Sequence, residues 1–228
     1  LQVGRGIALS LRKVSEFGID DALRGARAQL RLHSDVRLDL FGGLVNIANL
    51  DEVTDTFVDE VRDRIVGGRI EGSILDLFEL GAHAILLVPY GFSDTEGEWV
   101  QRDLGGGRYT TVIGGTLEFP RLWDRFSLYL EGDGMLRPGY LTSDDPEGFA
   151  LYASFDLELG RLTLSGEFKW YENFEVLGTA MDGAGLSRPY SQPPTLERED
   201  QNVNNNTDVV GFRIRADVRL PRDFLVYA

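Results

Sequence analysis

Charged residues of both signs recur at even spacing along several short runs of this chain. They are Arg27 and Arg31, Arg37 and Asp39, Arg69 and Glu71, Asp156 and Glu158, Glu167 and Lys169, and Arg213, Arg215, Asp217 and Arg219. In an extended chain even spacing puts side chains on one side, so each run presents its charges together. On the wall of a hydrated lumen, opposed charges create a transverse field that selects and orients polar solutes. In a closed interior the same residues would neutralise one another as salt bridges, with no conduction. Arg213, Arg215 and Arg219 form a basic ladder that suits anionic solutes without demanding them.

Other chemistry finds little support. A hydrolase needs a His with a nucleophile or carboxylate partner. His33 falls in a short turn, His83 lies mid-strand on the polar side, and no Ser motif accompanies either. No catalytic residue is assigned, and an enzyme is not expected. The acidic clusters SDTEGE (93–98), TSDDPEG (142–148) and EREDQNVNNNTD (197–208) could offer oxygen ligands to Ca²⁺, but none has EF-hand spacing. They are read as solvated loop surface. LGGGRY (104–109) is rich in Gly, yet no helix follows it to receive a phosphate. Without cysteine there is neither a disulfide framework nor a thiolate metal site. No metal and no cofactor are expected.

The elements that must position the charges are strands. FALYASFDLELGRLTLSGEFKW (149–170) alternates almost without a slip. Phe149, Leu151, Ala153, Phe155 and Leu157 share one side with Leu164, Phe168 and Trp170, and Asp156, Glu158, Glu167 and Lys169 share the other. Gly160-Arg161 fits a two-residue hairpin turn, with Gly supplying the positive φ. Pairing across it sets Leu159 against Leu162, Leu157 against Leu164, Phe155 against Gly166, Ala153 against Phe168 and Leu151 against Trp170. On the polar side Glu158 meets Thr163, Asp156 meets Ser165, Ser154 meets Glu167 and Tyr152 meets Lys169. Large residues oppose small ones and no like charges face each other, as stable pairing requires. Each arm runs to about ten residues, which is long for a soluble strand and right for a tilted strand crossing a bilayer.

Similar runs appear at 4–13, 22–32, 36–45, 68–75, 77–88, 109–119, 125–131 and 209–220, with a last one near Phe224. That makes about eleven strands by alternation. The segment NLDEVTDTFVDEVRDRIVGG (49–68) differs: Val53, Phe57, Val61 and Ile65 recur every four residues, and Asp51 could cap a short helix. The connections alternate between long (14–21, 46–67, 89–108, 132–148, 172–208) and short (33–35, 75–77, 120–124, 160–161, 221–223). All short turns therefore fall at one end of the sheet and all long loops at the other. Phe119, Trp123, Phe126 and Phe224 gather near the short end, and Tyr90, Phe92, Tyr109, Trp170 and Tyr171 near the long end. These are the places of two aromatic belts at lipid headgroups.

Composition is compatible with this picture. No run of about eighteen apolar residues suggests a membrane helix, which says nothing against strands that are only half apolar. A net charge of −14 argues against nucleic acid as a partner. LQVGRGIALSL begins without an initiator Met, and the chain ends at Ala228 soon after a strand begins. The chain is read as an excerpt of a longer protein, or a mature chain trimmed at both ends.

On the hairpin DLELGRLTL and its counterparts, the chain resembles the Gram-negative outer-membrane β-barrels of the porin-like class. The resemblance is architectural and covers essentially all of residues 1–228, read as a single β-barrel domain. It implies an all-β, up-and-down antiparallel transmembrane barrel, excerpted from a larger one, in the cell outer membrane. It also implies lipid as a partner and passive diffusion of small polar or charged solutes, and it allows a homo-oligomer. The charged residues named at the outset would then line the pore. A plugged or loop-closed receptor barrel is the alternative, with a soluble β-sandwich binding module behind it.

Overall fold

The computed structural model describes residues 1–11, 13–14, 19–20, 23–46, 49–51, 56–58, 62–75, 77–93, 98–101, 109–137, 147–178, 190–191, 208–220 and 225–227. Ten strands form one antiparallel sheet: β1 Leu23–Arg31, β2 Val36–Asn46, β3 Arg62–Ile74, β4 Phe78–Val88, β5 Thr110–Leu122, β6 Phe126–Leu136, β7 Glu147–Leu159, β8 Leu162–Glu172, β9 Val209–Arg219 and β10 Leu225–Tyr227. Each strand pairs with its neighbours in sequence, so the sheet is a pure up-and-down meander. It is not closed, because β1 and β10 are its two edges. The expected closed barrel is corrected to an open sheet over the described residues. No helix is present among them, and none is long and apolar enough to cross a membrane, which says nothing of a β-barrel.

The β7–β8 register follows from alternation and the turn. Leu159 pairs with Leu162, Leu157 with Leu164, Phe155 with Gly166, Leu151 with Trp170, and Tyr152 with Lys169. Gly160 turns the chain at φ +68°, a conformation costly for a residue with a Cβ. The 123–125 turn is built differently, with Trp123 and Asp124 both at positive φ. The register shifts there between Phe119 and Leu122. Pro120, which has no N–H to give the ladder, lies within that irregular stretch. Long and short connections alternate as expected.

Two segments depart from expectation. The run 4–13 is no wall strand: Leu9–Ser10 pairs with Gln2–Val3 in a small ribbon of its own. Ile7, Ala8 and Leu9 are all fully buried in succession, a pattern that fits a segment enclosed on both sides rather than a two-faced strand. The helix expected over 49–68 is also absent among the described residues of that stretch. Asn49–Asp51 pairs with Thr56–Val58, and β3 already begins at Arg62. The β-branched Thr56, Val58, Ile65 and Val66 suit extended backbone, and Ile65 is buried on the sheet's polar side rather than on a helix face.

The two faces of the sheet differ in what they carry. One carries exposed apolar side chains, among them Ile113, Leu151, Trp170, Val210, Phe212 and Ile214. Phe78 packs on Phe119 at 5.6 Å and Phe126 on Phe155 at 6.3 Å, a row of rings towards the short turns on this face. Phe149 meets Trp170 edge-on at 4.9 Å near the long-loop end. Tyr171 does not belong to that belt: one residue beyond Trp170, it points to the opposite face and is buried. Tyr90 lies under the Arg64 guanidinium at 4.1 Å. Phe224 and the side chain of Phe92 lie outside the described residues.

The opposite face is covered at its long-loop end and open nearer the short turns, where Arg27, Arg31, Asp156 and Glu158 are exposed. Towards the long-loop end Phe41, Val45, Ile65, Ile85, Leu87, Val112, Met135 and Tyr171 form one buried cluster with Val3, Ile7, Leu9 and Leu11. Burying side chains such as Ile7 and Leu9 fully stabilises the contact by about 1.5–3 kcal/mol each. Phe174, Val176 and Tyr190 also belong to the cluster.

Candidate functional site: the polar face of the sheet

The same parity that sends Phe212 and Ile214 to one face sends Arg213 and Arg215 to the other, where they are half-buried. Every charged residue singled out by spacing lies on that side: Arg27, Arg31, Arg37, Asp39, Arg69, Glu71, Asp156, Glu158, Glu167, Lys169, Arg213, Arg215, Asp217 and Arg219. Cross-strand pairing juxtaposes opposite charges at three places, where Arg37 with Glu71, Asp39 with Arg69, and Glu167 with Arg213 are Cα partners, while Arg31 faces Arg37. Most of these positions fall in the half of the sheet nearer the short turns, below the apolar cluster.

Two ion-pair groups result. On β1–β3, Arg27 Nε donates to Asp39 Oδ1 at 2.9 Å, and Gln29 reaches the same carboxylate. Arg37 and Arg69 both pair with Glu71. On β7–β9, Ser165 donates to Asp156 at 2.5 Å, Tyr152 to Glu167 at 2.9 Å, and Arg215 Nε to Asp217 at 2.9 Å. Beside the second group is an open cavity of about 220 Å³ whose lining includes Arg5, Asp156, Glu167, Arg213, Arg215 and Asp217. Another, of about 330 Å³, is bordered by Arg31, Arg37, Glu71 and Glu79 near the β1–β2 turn. Solvated, mixed-sign cavities of this kind suit small polar solutes better than apolar ligands.

Between the charged half and the apolar cluster runs a buried polar tier that spacing alone missed. Arg5, carried by the N-terminal segment and itself exposed, caps this tier. The Arg5 amide donates to Glu131 Oε2 at 2.9 Å, and its Nη1 donates to Ser154 at 2.8 Å. The guanidinium stacks 4.0 Å above the Tyr129 ring, a cation–π contact. Gly4 allows this approach: at φ +61°, a Cβ there would stand 1.7 Å from Glu131 Oε1. Tyr129 donates to Glu131 at 2.6 Å, and His83 Nε2 lies 2.6 Å from Asp133 Oδ1. Farther towards the long-loop end, level with Val45, Tyr190 donates to the buried Asp63 at 2.8 Å.

Glu131, Asp133 and His83 are the residues of this tier able to hold a cation. Alternation along β6 was the signal for the first two, because Tyr129, Glu131, Asp133 and Met135 follow one parity. Arg5 had no comparable signal, since its partners are far away in sequence. The acidic cluster 142–148 is described only from Glu147, which opens β7, and 197–208 only at Asp208, whose carboxylate accepts the Asn173 amide at 2.8 Å. Residues 94–97 and 104–108 lie outside the described residues.

Comparison of the chain with family models, with curated proteins and with solved structures found no match.

Proposed function

We propose that this sheet is wall from an outer-membrane β-barrel of the porin-like class, whose charged face guides small polar or charged solutes across the membrane by passive diffusion. The observation that carries the reading is an open apolar face on a sheet that buries polar groups on its other side. Phe212 is 76% and Ile214 65% exposed, whereas Glu131 is 1% and Lys169 7% exposed. Water would favour the reverse, since an unpaired apolar surface of this extent calls for a non-aqueous neighbour. Strands of 9–13 residues from β1 to β9 are long enough to cross a hydrocarbon layer when tilted. Short turns at one end and long loops at the other support the same placement.

A second reading has its own observation. The N-terminal segment packs on the polar face with Ile7, Ala8 and Leu9 fully buried. That favours a barrel closed from within, as in a receptor or gated transporter. Planar-bilayer recording of the full chain separates the two. The channel reading expects discrete conductance steps, with selectivity shifting towards cations when Arg213, Arg215 and Arg219 are all replaced by Gln. Recording should use a KCl gradient at low ionic strength, because the Debye length falls to about 3 Å at 1 M salt. Inserted protein that shows no steps overturns the channel reading. Steps that appear only after Arg5→Ala favour the closed barrel.

A further inference from the structure

Three ligand-bearing side chains converge in the buried tier. His83 on β4 and Glu131 and Asp133 on β6 each offer a donor atom, and these atoms all lie within 4.8 Å of one another. All three residues are more than nine-tenths buried. Strand register brings them together. His83 is the Cα partner of Gly114 on β5, and Gly114 is the partner of Asp133. Imidazole and carboxylate meet over the one position between them that has no side chain. A Cβ on Gly114 would stand 1.8 Å from Asp133 Oδ1 and 2.6 Å from His83 Nε2.

Protein partners leave this cluster half satisfied. Glu131 commits Oε2 to the Tyr129 hydroxyl and the Arg5 amide, and Asp133 commits Oδ1 to His83. Glu131 Oε1, Asp133 Oδ2 and His83 Nδ1 are buried with no hydrogen-bond partner among the described residues. Buried carboxylate oxygens without donors are rare and costly, and a shared cation would satisfy both. The donor set decides the kind of ion. One imidazole and two carboxylates suit a borderline divalent metal held at about 2.0–2.2 Å, whereas Ca²⁺ and Mg²⁺ favour oxygen alone. Tyr129 and the Arg5 amide already hold the Glu131 carboxylate from behind, as outer hydrogen bonds hold ligating carboxylates in metal sites.

We propose that His83, Glu131 and Asp133 form a three-ligand site for a divalent transition-metal ion of the Zn²⁺ type. Through Glu131 the ion also fastens Arg5, and so the N-terminal segment, to the sheet wall. The site does not depend on whether the barrel conducts. The test uses the tag-free full chain in detergent, stripped with EDTA and titrated with Zn²⁺ by calorimetry. One equivalent should bind, and His83→Gln and Asp133→Asn should each weaken binding at least about 100-fold. Unheated gel mobility and circular dichroism confirm that each variant is folded. X-ray absorption at the zinc edge of the unmodified chain reads the site without any variant, and should show one imidazole among oxygen ligands. Absence of stoichiometric zinc, a bound zinc with no imidazole ligand, or unchanged affinity in folded His83→Gln would each overturn the proposal.

Discussion

Ile214 offers a direct measure of what the apolar face touches. It stands midway along β9, opposite Gly166 on β8, between Phe212 and Ala216 on the outward side. With 65% of its surface open, Ile214→Arg would matter little in water, where exposed substitutions change stability within about 0.5 kcal/mol. In a bilayer, Arg near the midplane of a barrel strand costs about 2–4 kcal/mol. At the lower figure the folded-to-unfolded ratio falls by about 30-fold. The control is Ser165→Arg, on the polar face between Asp156 and Arg215. There the guanidinium exchanges the Ser165 hydrogen bond to Asp156 for an ion pair with the same carboxylate and faces Arg215 across solvent, so the change should stay at about 1 kcal/mol. Urea-dependent folding of the full chain into phosphatidylcholine vesicles, followed by tryptophan fluorescence and unheated gel mobility, measures both variants. Ile214→Arg that folds into vesicles as the parent does, or a parent that folds as a monomer without detergent or lipid, refutes the lipid-facing assignment.

Other outcomes follow from the polar face. Arg37→Ala removes one of two cations on Glu71, but the Arg37 side chain is 61% exposed. The loss should therefore stay below about 1 kcal/mol in urea titrations, and a loss several times larger would mean that this ladder is desolvated rather than hydrated. Gly4→Ala forces a Cβ into Glu131 at a positive φ. It should release the N-terminal segment at a cost of about 1–3 kcal/mol. Limited proteolysis should then cut within residues 1–11 faster than in the parent, and unchanged cleavage would place the segment elsewhere in solution. Tyr152→Phe deletes one hydrogen bond to Glu167 and should cost about 0.5–1.5 kcal/mol by the same titration.

Strand identity, parity and the β7–β8 register were legible in the residue order. A period of two leaves only two ways to face each strand, and a glycine turn at Gly160-Arg161 fixes which residues oppose. Leu157 against Leu164 and Asp156 against Ser165 therefore needed no tertiary information. The placement of the charged residues on one face follows from the same counting. Segments without a clean period behaved differently. Ile7, Ala8 and Leu9 read as wall, yet they are buried in succession because that segment folds over the sheet. The spacing of Val53, Phe57, Val61 and Ile65 suggested a helix, but Ile65 belongs to β3 and packs into the buried cluster.

The buried tier was decided by tertiary structure alone. His83 and Asp133 are 50 residues apart, and Arg5 and Glu131 are 126 apart. The first meeting depends on β5 lying between β4 and β6 and on Gly114 leaving room above it, the second on the N-terminal segment approaching Glu131 through Gly4. Local pattern reports which side of a strand a residue takes, because backbone geometry sets that alternation within a few bonds. Which other residues share that side at hydrogen-bonding distance depends on the order and stagger of strands. Many weak contacts across the whole sheet set that order, and no short run of sequence carries it.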